Sequence, residues 1–160
     1  MSRRLVVDAS PLILLTRIGR LDLLREDQVT VPESVLGEIE AGSGLDQTAS
    51  ILKAGGTHFD IVPDLVVPPE LVLWSLGRGE TQVLARCLAG SGREAVLDDR
   101  AARRCARSLG ILTTGTVGLV LRAKKRGQLH QARPVVEDLV SAGLYLTAEV
   151  QEQVLGEVGE

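Results

Sequence analysis

Short aliphatic runs alternate with helical patterns along this chain, and that alternation constrains the fold more than any other feature. Strands that are apolar throughout are typical of a parallel sheet buried on both faces. Aromatic residues make up only 2% of the sequence, so Leu, Val, Ile and Ala must build the core. Strands that alternate with helices predict right-handed crossovers and one α/β domain over residues 1–160. The predicted strands are Leu5–Ala9, Val29–Val31, Asp60–Pro63, Ala95–Leu97 and Ile111–Thr113.

Capping residues divide the rest of the chain into helices. Ser10 followed by Pro11 predicts a helix that begins directly after the first strand. Gly42, Gly110 and Gly127 each follow a helical pattern and predict its end. The stretch 42–56 predicts a helical excursion with loose ends. The other predicted helices are Pro32–Ala41, Glu80–Ala89, Asp99–Leu109, Thr116–Arg126, Val135–Ala142 and Ala148–Gly156.

Overall charge and cysteine content narrow the class of protein. The formal net charge is -3, which argues against a basic protein that binds nucleic acid over its whole surface, so a nucleic-acid site would need a local basic patch. Cys87 and Cys105 fall in predicted helices beside apolar neighbours, which predicts two buried thiols and no disulfide framework. No apolar run is long enough for a signal peptide or a membrane span, and we interpret the protein as cytoplasmic.

Acidic residues follow two of the predicted strands at the point where ligands of open parallel sheets bind. Asp8 follows three apolar residues, and a carboxylate there is costly to bury unless it is paired or binds a metal. Since Ser10 already supplies the helix cap, this position favours a catalytic or metal-binding role for Asp8. Asp98 and Asp99 follow the fourth strand. One of them is explained as a helix cap, but two adjacent acids exceed what a cap needs, and the pair stays open between function and structure.

Two further acids lie on predicted helices. Glu80 shares a helix face with Val83 and Leu84, which is the apolar and therefore inward face. A first-turn Glu that only interacts with the helix dipole has no need to face inward, so the pattern favours a function for Glu80. Glu38 and Glu40 flank the apolar stripe of their helix on opposite sides. Periodicity does not choose between them, and either fits a solvated surface acid.

A cluster of carboxylates at one edge of a sheet predicts a hard divalent metal ion. Two carboxylates ~5 Å apart repel by roughly 3 kcal/mol at an effective dielectric constant of ~20. Mg²⁺ and Mn²⁺ prefer carboxylate oxygens and retain water ligands, so either ion would remove this repulsion. A phosphate-bearing substrate is the usual partner of such a site.

Basic residues concentrate in the second half of the chain, mostly on one predicted helix face. Phosphate contacts would use such groups, although a solvated face explains most charge runs equally well. Thr114 and Thr116 lie where a loop offers hydroxyl groups and a helix N-terminus, which suits either a phosphate or a simple Thr cap. The predicted phosphate-contacting side chains are Arg78, Arg100, Arg103, Arg104, Arg107, Lys124 and Lys125.

Four short segments, in the right order, resemble the acidic motifs of PIN domains. They are Val6–Ile13, Val31–Gly42, Gly77–Thr81 and Leu97–Arg103. Their register favours Glu38 over Glu40 and Asp99 over Asp98. The chain departs from the family in two ways: Glu80 stands where Asp is common, and Asp98 is an extra acid. The segments Leu109–Gly118 and Leu139–Leu146 are similar to an uncharacterised prokaryotic PIN-like branch.

The resemblance implies a parallel sheet of order 3-2-1-4-5 and an endoribonuclease that uses Mg²⁺ or Mn²⁺ and leaves a 5′-phosphate and a 3′-hydroxyl. It also implies a frequent homodimer, often the VapC-like toxin of a toxin–antitoxin pair, with an antitoxin protein as partner. The basic residues above would then contact RNA. The implied catalytic residues are Asp8, Glu38, Glu80 and Asp99; the implied metal ligands are Asp8, Glu80, Asp99 and Asp98; the implied supporting residues are Ser10, Thr114 and Thr116.

Three other classes of protein share part of this pattern. A receiver-type switch would need a Lys after the last strand, and none follows Thr113. A haloacid-dehalogenase-like enzyme would need a second Asp two residues after Asp8, where Ser10 stands. A non-catalytic PIN-fold module that binds RNA or protein stays the alternative, and metal binding would separate it from a nuclease.

Overall fold

A five-stranded parallel sheet forms the centre of the protein in a computed structural model that describes residues 1–42, 47–54 and 58–160. The strands are β1 (Arg4–Val7), β2 (Gln28–Pro32), β3 (Phe59–Val62), β4 (Arg93–Val96) and β5 (Leu112–Thr114). Their order is β3-β2-β1-β4-β5, and every neighbouring pair is parallel. The predicted α/β class and strand order are confirmed.

Helices cover both faces of the sheet and supply the other half of the core. They are α1 (Ala9–Arg17), α2 (Glu33–Ala41), α3 (Thr48–Ala54), α4 (Pro69–Val72), α5 (Arg78–Leu88), α6 (Arg100–Ser108), α7 (Thr116–Lys125), α8 (Arg133–Ser141) and α9 (Ala148–Gly156), with a 3₁₀ turn at Leu21–Leu24. The predicted excursion over residues 42–56 contains α3, while residues 43–46 and 55–57 lie outside the described residues. Within the described ranges, no helix is long and apolar enough to cross a membrane.

The burial of the central strand β1 explains why its residues are aliphatic. Leu5, Val6 and Val7 are completely buried, because β1 lies between β2 and β4 and is covered on both faces. The edge strand β5 is different, since its Leu112 is largely exposed. Cys87 and Cys105 are buried free thiols, as predicted.

Several helix starts differ from the prediction by one or two residues, and two of these differences change where acidic residues lie in their helices. The first helix begins at Ala9, with Asp8 as its N-cap, and not at Ser10 and Pro11. The fifth helix begins at Arg78 and not at Glu80, because Gly77 is its N-cap and donates its N–H to the Glu80 carboxylate at 3.0 Å. Asp8 therefore lies at the junction of strand and helix, and Glu80 lies within the first turn of α5.

Acids at the amino-terminal end of the strands are neutralised by arginines. The guanidinium of Arg126 donates to both carboxylate oxygens of Asp27, at 3.0 and 3.1 Å. Glu94 accepts from Arg122 at 2.7 Å and from Arg3 at 3.0 Å. These pairs hold α7 and the first residues of the chain to the sheet, and they leave the carboxyl-terminal end of the strands as the place for a site.

Candidate functional site

Asp8 is a buried carboxylate with an unsatisfied oxygen. Its backbone N–H donates to Val96 at 3.1 Å, which fixes Asp8 beside the end of β4. The side chain is 5% exposed, makes no capping hydrogen bond, and its Oδ1 has no hydrogen-bond partner. Burial, with smaller contributions from the negative charges of Glu80, Glu38 and Asp98, raises the pKa of Asp8 to about 7. A cation beside this carboxylate would remove most of that penalty.

Glu38 and Glu80 come from different helices and meet at the start of α5. Glu38 on α2 accepts a hydrogen bond from the Gly79 N–H at 2.8 Å. A Cβ on Gly79 would lie 2.5 Å from Glu38 Oε2, so only glycine allows this approach. Glu80 is half-buried, and burial, with repulsion from Asp99 and Glu38, raises its pKa. The two acids therefore lie in one electrostatic cluster with Asp8.

The choice between Glu38 and Glu40, which periodicity leaves open, is decided by their contacts. Glu40 lies 2.5 Å from the ammonium group of Lys53 on α3. Glu38 contacts α5 and contributes to the raised pKa values of both Asp8 and Glu80. The structure therefore brings Glu38 to the cluster and directs Glu40 away from it.

Asp98 is held by hydroxyl and backbone donors. Its carboxylate accepts from the N–H of Thr116 at 2.8 Å, from the Thr116 hydroxyl at 2.6 Å and from the Ser10 hydroxyl at 3.3 Å. Ser10 is therefore a donor to Asp98 and not the helix cap that the sequence predicts. This network ties the ends of β1 and β4 to the start of α7.

Asp99 takes the capping role that the sequence assigns to one acid of the pair. Its Oδ2 accepts from the Ala102 N–H at 2.9 Å and caps α6, and its side chain is exposed. Thr114 is buried under α7, where a Cβ on Gly118 would overlap its hydroxyl oxygen. Thr114 thus contributes to helix packing, whereas Thr116 contributes to the Asp98 network.

A cleft of about 1060 Å³ opens over four of these carboxylates. One wall comes from the first turn of α6, and another comes from the loop that joins α8 to α9. The lining side chains include Asp8, Ser10, Glu80, Asp98, Asp99, Arg100, Arg103, Leu144, Tyr145 and Leu146. Glu38 does not line this cleft and acts on it through its charge and its contact with α5.

The family model described as PIN domain matches residues 4–160. The chain belongs to the PIN-domain family. PIN domains are commonly nucleases and generally use divalent metal ions. The chain matches no curated protein.

The basic residues of this PIN domain separate into two groups. Arg100, Arg103, Arg104 and Arg107 lie on the exposed face of α6, and none of their side chains has a hydrogen bond or an ion pair within the described part of the chain. Only the first two line the cleft. Of the predicted basic contacts, Arg100 and Arg103 are therefore the ones that the structure brings close to the acids, and Arg17 of α1 lines the same cleft.

The other predicted basic contacts lie elsewhere. Arg78 lies 3.4 Å from Asp64 and does not line the cleft. Lys124 and Lys125 are at the C-terminal end of α7, a helix whose N-terminal end holds Thr116 at the site. Lys124 also contacts Glu160 at 3.9 Å. The structure does not bring these three cations together with the acidic cluster.

The acidic cluster fits a hydrated divalent ion by its chemistry. Among the residues described, no three Asp, Glu, His or Cys side chains already converge as a complete ligand set. Mg²⁺ does not require one, because it keeps several waters and uses one or two carboxylates. The unpartnered Oδ1 of Asp8 and the mutual repulsion of Asp8 with Glu80, Glu38 and Asp98 are the features that such an ion would relieve.

Two features of the PIN-domain site are missed by the sequence reasoning. One is Gly79, whose missing side chain lets Glu38 approach α5. The other is the cleft wall formed by Leu144, Tyr145 and Leu146. The local sequence gives no signal for this wall, since Leu144, Tyr145 and Leu146 form an apolar run without periodicity.

Proposed function

We propose that this PIN domain is a metal-dependent endoribonuclease that hydrolyses phosphodiester bonds of RNA. The observation that carries the proposal is Asp8, a nearly inaccessible carboxylate whose Oδ1 is unpartnered and whose pKa is raised to about 7. A structural acid in such a position would be paired, as Asp27 is with Arg126. Asp8 instead has other carboxylates around it, and it lines a cleft in which Arg100 and Arg103 of α6 have no acidic partner among the described residues.

The carboxylates would hold Mg²⁺ or Mn²⁺, with Asp8, Glu80 and Asp99 as ligands and Asp98 as a further one. When bound, such an ion lowers the pKa of water and neutralises negative charge on a phosphate. Asp98 accepts hydrogen bonds from the Ser10 hydroxyl, which lines the cleft, and from the buried Thr116 hydroxyl. Glu38 keeps the first turn of α5 in place through the Gly79 N–H and adds negative charge to the cluster.

The arginines of α6 supply the contacts to the substrate backbone. Arg100 and Arg103 line the cleft beside the acids, and their side chains are not occupied by intramolecular ion pairs in the described chain. Guanidinium groups bind phosphate oxygens in a bidentate manner, so they would fix the position of the phosphodiester relative to Asp8 and Glu80.

Two extensions of the proposal rest on the family resemblance alone. In the VapC-like branch, a PIN domain is the toxin of a toxin–antitoxin pair and is often a homodimer. An antitoxin that covers the cleft would block access to Asp8. The gene next to that of this chain is the first place to look for such a partner.

The experiment is cleavage of a mixed, end-labelled RNA pool with Mn²⁺ or Mg²⁺. We expect cleavage by the wild type, its loss in chelator, and a loss of roughly 100-fold or more in Asp8→Asn, because removal of a ligand affects a metal site more than the 10- to 100-fold cost of removing an outer partner. Glu38→Gln and Glu40→Gln form a matched pair on one helix. Only the first should reduce cleavage, since Glu40 pairs with Lys53 away from the site.

Other outcomes separate the alternatives. Cleavage that persists in chelator or in Asp8→Asn would sink the metal-dependent mechanism. A folded protein that neither cuts RNA nor binds Mn²⁺ would favour a non-catalytic PIN-fold module. A folded protein that binds Mn²⁺ without cutting the pool would point to a narrow natural substrate or to a bound inhibitor.

A further inference from the structure

Tyr145 is an exposed aromatic residue in the wall of the cleft. Its side chain is 89% exposed, whereas Phe59 is buried and Trp74 is only partly exposed. These are the three aromatic residues of the chain. A large ring contributes little to folding when it is left in water, because its stabilising effect comes from burial. Its place in the cleft therefore requires an explanation other than packing.

Burial alternates along the loop that contains Tyr145. Leu144 and Leu146 are half-buried against the core, whereas Tyr145 between them is exposed and faces solvent. Leu144 donates its N–H to Leu139 at 2.9 Å. The Thr147 hydroxyl accepts from the Val150 N–H at 3.2 Å and caps α9. Hydrogen bonds therefore hold the loop at both ends, on either side of Tyr145.

The cleft around this ring has the chemistry that a single-stranded nucleic acid needs. Acids lie on its floor, and Arg100 and Arg103 line the same space from α6. Phosphates bind to arginines, and bases stack on aromatic rings, so proteins that hold single strands combine the two. A cleft with Asp8, the two arginines and Tyr145 holds a group for the phosphate and a group for the base.

We propose that Tyr145 stacks on a nucleobase of the RNA and thereby positions the neighbouring phosphodiester over the acidic cluster. This inference rests on the proposed function, and it assigns a base-contacting residue that requires an unpaired nucleotide beside the cleaved bond. A base within a duplex has both faces covered by its neighbours, so Tyr145 discriminates against double-stranded RNA. Tyr145 is a positioning residue, because it acts on the base and not on the reacting atoms.

The first test measures RNA binding without cleavage. Binding of a short, fluorescently labelled single-stranded RNA is measured in the Asp8→Asn background. We expect Tyr145→Ala to weaken binding by roughly 5- to 150-fold, the range for loss of one base–aromatic stack. Tyr145→Phe keeps the ring and should bind as tightly as Tyr145. Leu73→Ala is the matched control, since Leu73 is 88% exposed and lies outside the cleft lining.

The second test asks whether the ring acts through a base. Each nucleotide of the same RNA is replaced in turn by an abasic nucleotide. At one position, the abasic replacement should weaken binding to the protein that keeps Tyr145 as much as Tyr145→Ala weakens binding of the intact RNA. The same replacement should cause no further loss of affinity in Tyr145→Ala. That non-additivity identifies a direct partner. With a fully paired duplex of the same sequence, Tyr145→Ala should have no effect.

Several results would overturn the stacking. One is an unchanged affinity of Tyr145→Ala for single-stranded RNA. Another is an equal loss of affinity in Tyr145→Ala and Tyr145→Phe. A third is that the effect of every abasic position on affinity adds to that of Tyr145→Ala. The stacking would also be overturned if Tyr145→Ala had a smaller molecular mass in solution than the wild type. That result would place the ring in an interface between protein chains. If the wild type cuts RNA and Tyr145→Ala cuts it equally well, only the stacking fails. If the protein neither binds nor cuts RNA, the proposed function fails together with it.

Discussion

At the scale of single residues, the candidate site differs from the rest of the core because it buries a carboxylate. Asp8 follows three fully buried apolar residues, and its carboxylate is nearly as buried as they are. Its surroundings raise the pKa to about 7, with burial as the largest cause. Folding of the metal-free protein therefore opposes ionisation at this position.

The pH dependence of stability follows from this conflict. The pKa of Asp8 is about 7 in the folded protein and 3.8 in the unfolded chain, so between these values only the folded state holds the proton. The free energy of unfolding of the metal-free protein should therefore fall as pH rises from about 4 to 7, and Asp8 should then contribute no further change. The fall from Asp8 alone is on the order of 4 kcal/mol at most.

Urea unfolding in chelator, at several pH values, measures this effect. Asp8→Asn has no titrating group at this position, so its free energy of unfolding should not fall in this way between pH 4 and 7. At pH 8 it should be higher than that of the wild type. Glu80, whose pKa is raised, and Asp22 and Asp64, whose pKa values are lowered, titrate in both proteins, so their contributions largely cancel in the comparison. Parallel pH dependences in the two proteins would show that Asp8 is not the buried acid described above.

Sequence reasoning identifies the acids of the site one at a time but not all of their contacts. Asp8 and Glu80 are found because an acid in an apolar pattern contradicts the pattern itself. Glu38 and Glu40 are equivalent by periodicity, and what separates them is a contact with Gly79, 41 residues from Glu38 along the chain. Such a long-range contact leaves no trace in the local sequence.

At the scale of secondary structure, the elements that carry a strong apolar period were predictable. Ala148–Gly156 has the predicted bounds, and all five strands differ from prediction by one or two residues. The short helix α4 and the 3₁₀ turn at Leu21–Leu24 were missed, because four residues are too few to show a period. The start of α1 was misplaced since Ser10 resembles a cap, whereas its hydroxyl donates to Asp98.

The contact between α2 and α5 provides a test at this scale. Gly79 is in the first turn of α5, and a Cβ there would lie 2.5 Å from Glu38 Oε2. In Gly79→Ala, Glu38 must move and its hydrogen bond from the Gly79 N–H must lengthen. We expect RNA cleavage to fall by about 10- to 100-fold, as for loss of a partner that orients a metal-site residue.

Gly37→Ala is the matched control for this substitution. Gly37 is on α2 beside Glu38, and a Cβ there would meet no atom within 4 Å. Alanine in an open helix position should raise the free energy of unfolding by about 0.5–1 kcal/mol and leave cleavage unchanged. Gly79→Ala should not show this gain. Full activity in Gly79→Ala would mean that the position of Glu38 does not matter for the reaction.

At the scale of the whole molecule, the formal net charge of -3 conceals an unequal distribution of charge. At the amino-terminal end of the strands, Asp27 is paired with Arg126, which is 99 residues away in sequence. At the opposite end of the strands, within the part of the chain that the structure describes, neither Asp8 and its neighbours nor the arginines of α6 have such a partner. Composition could not predict this distribution, because it depends on which charges the topology brings together.

The salt dependence of RNA binding tests this distribution of charge. For single strands, the slope of log K against log salt concentration is about -0.7 for each phosphate that a cation neutralises. Replacing Arg100 and Arg103 by Gln should therefore make the slope shallower by about 1.4 in Asp8→Asn protein. Replacing Arg104 and Arg107, on the same helix but outside the cleft lining, should change it less. Equal changes would place the RNA along the whole exposed face of α6 and not in the cleft. No change in either double variant would mean that these arginines do not contact RNA phosphates and form a solvated surface.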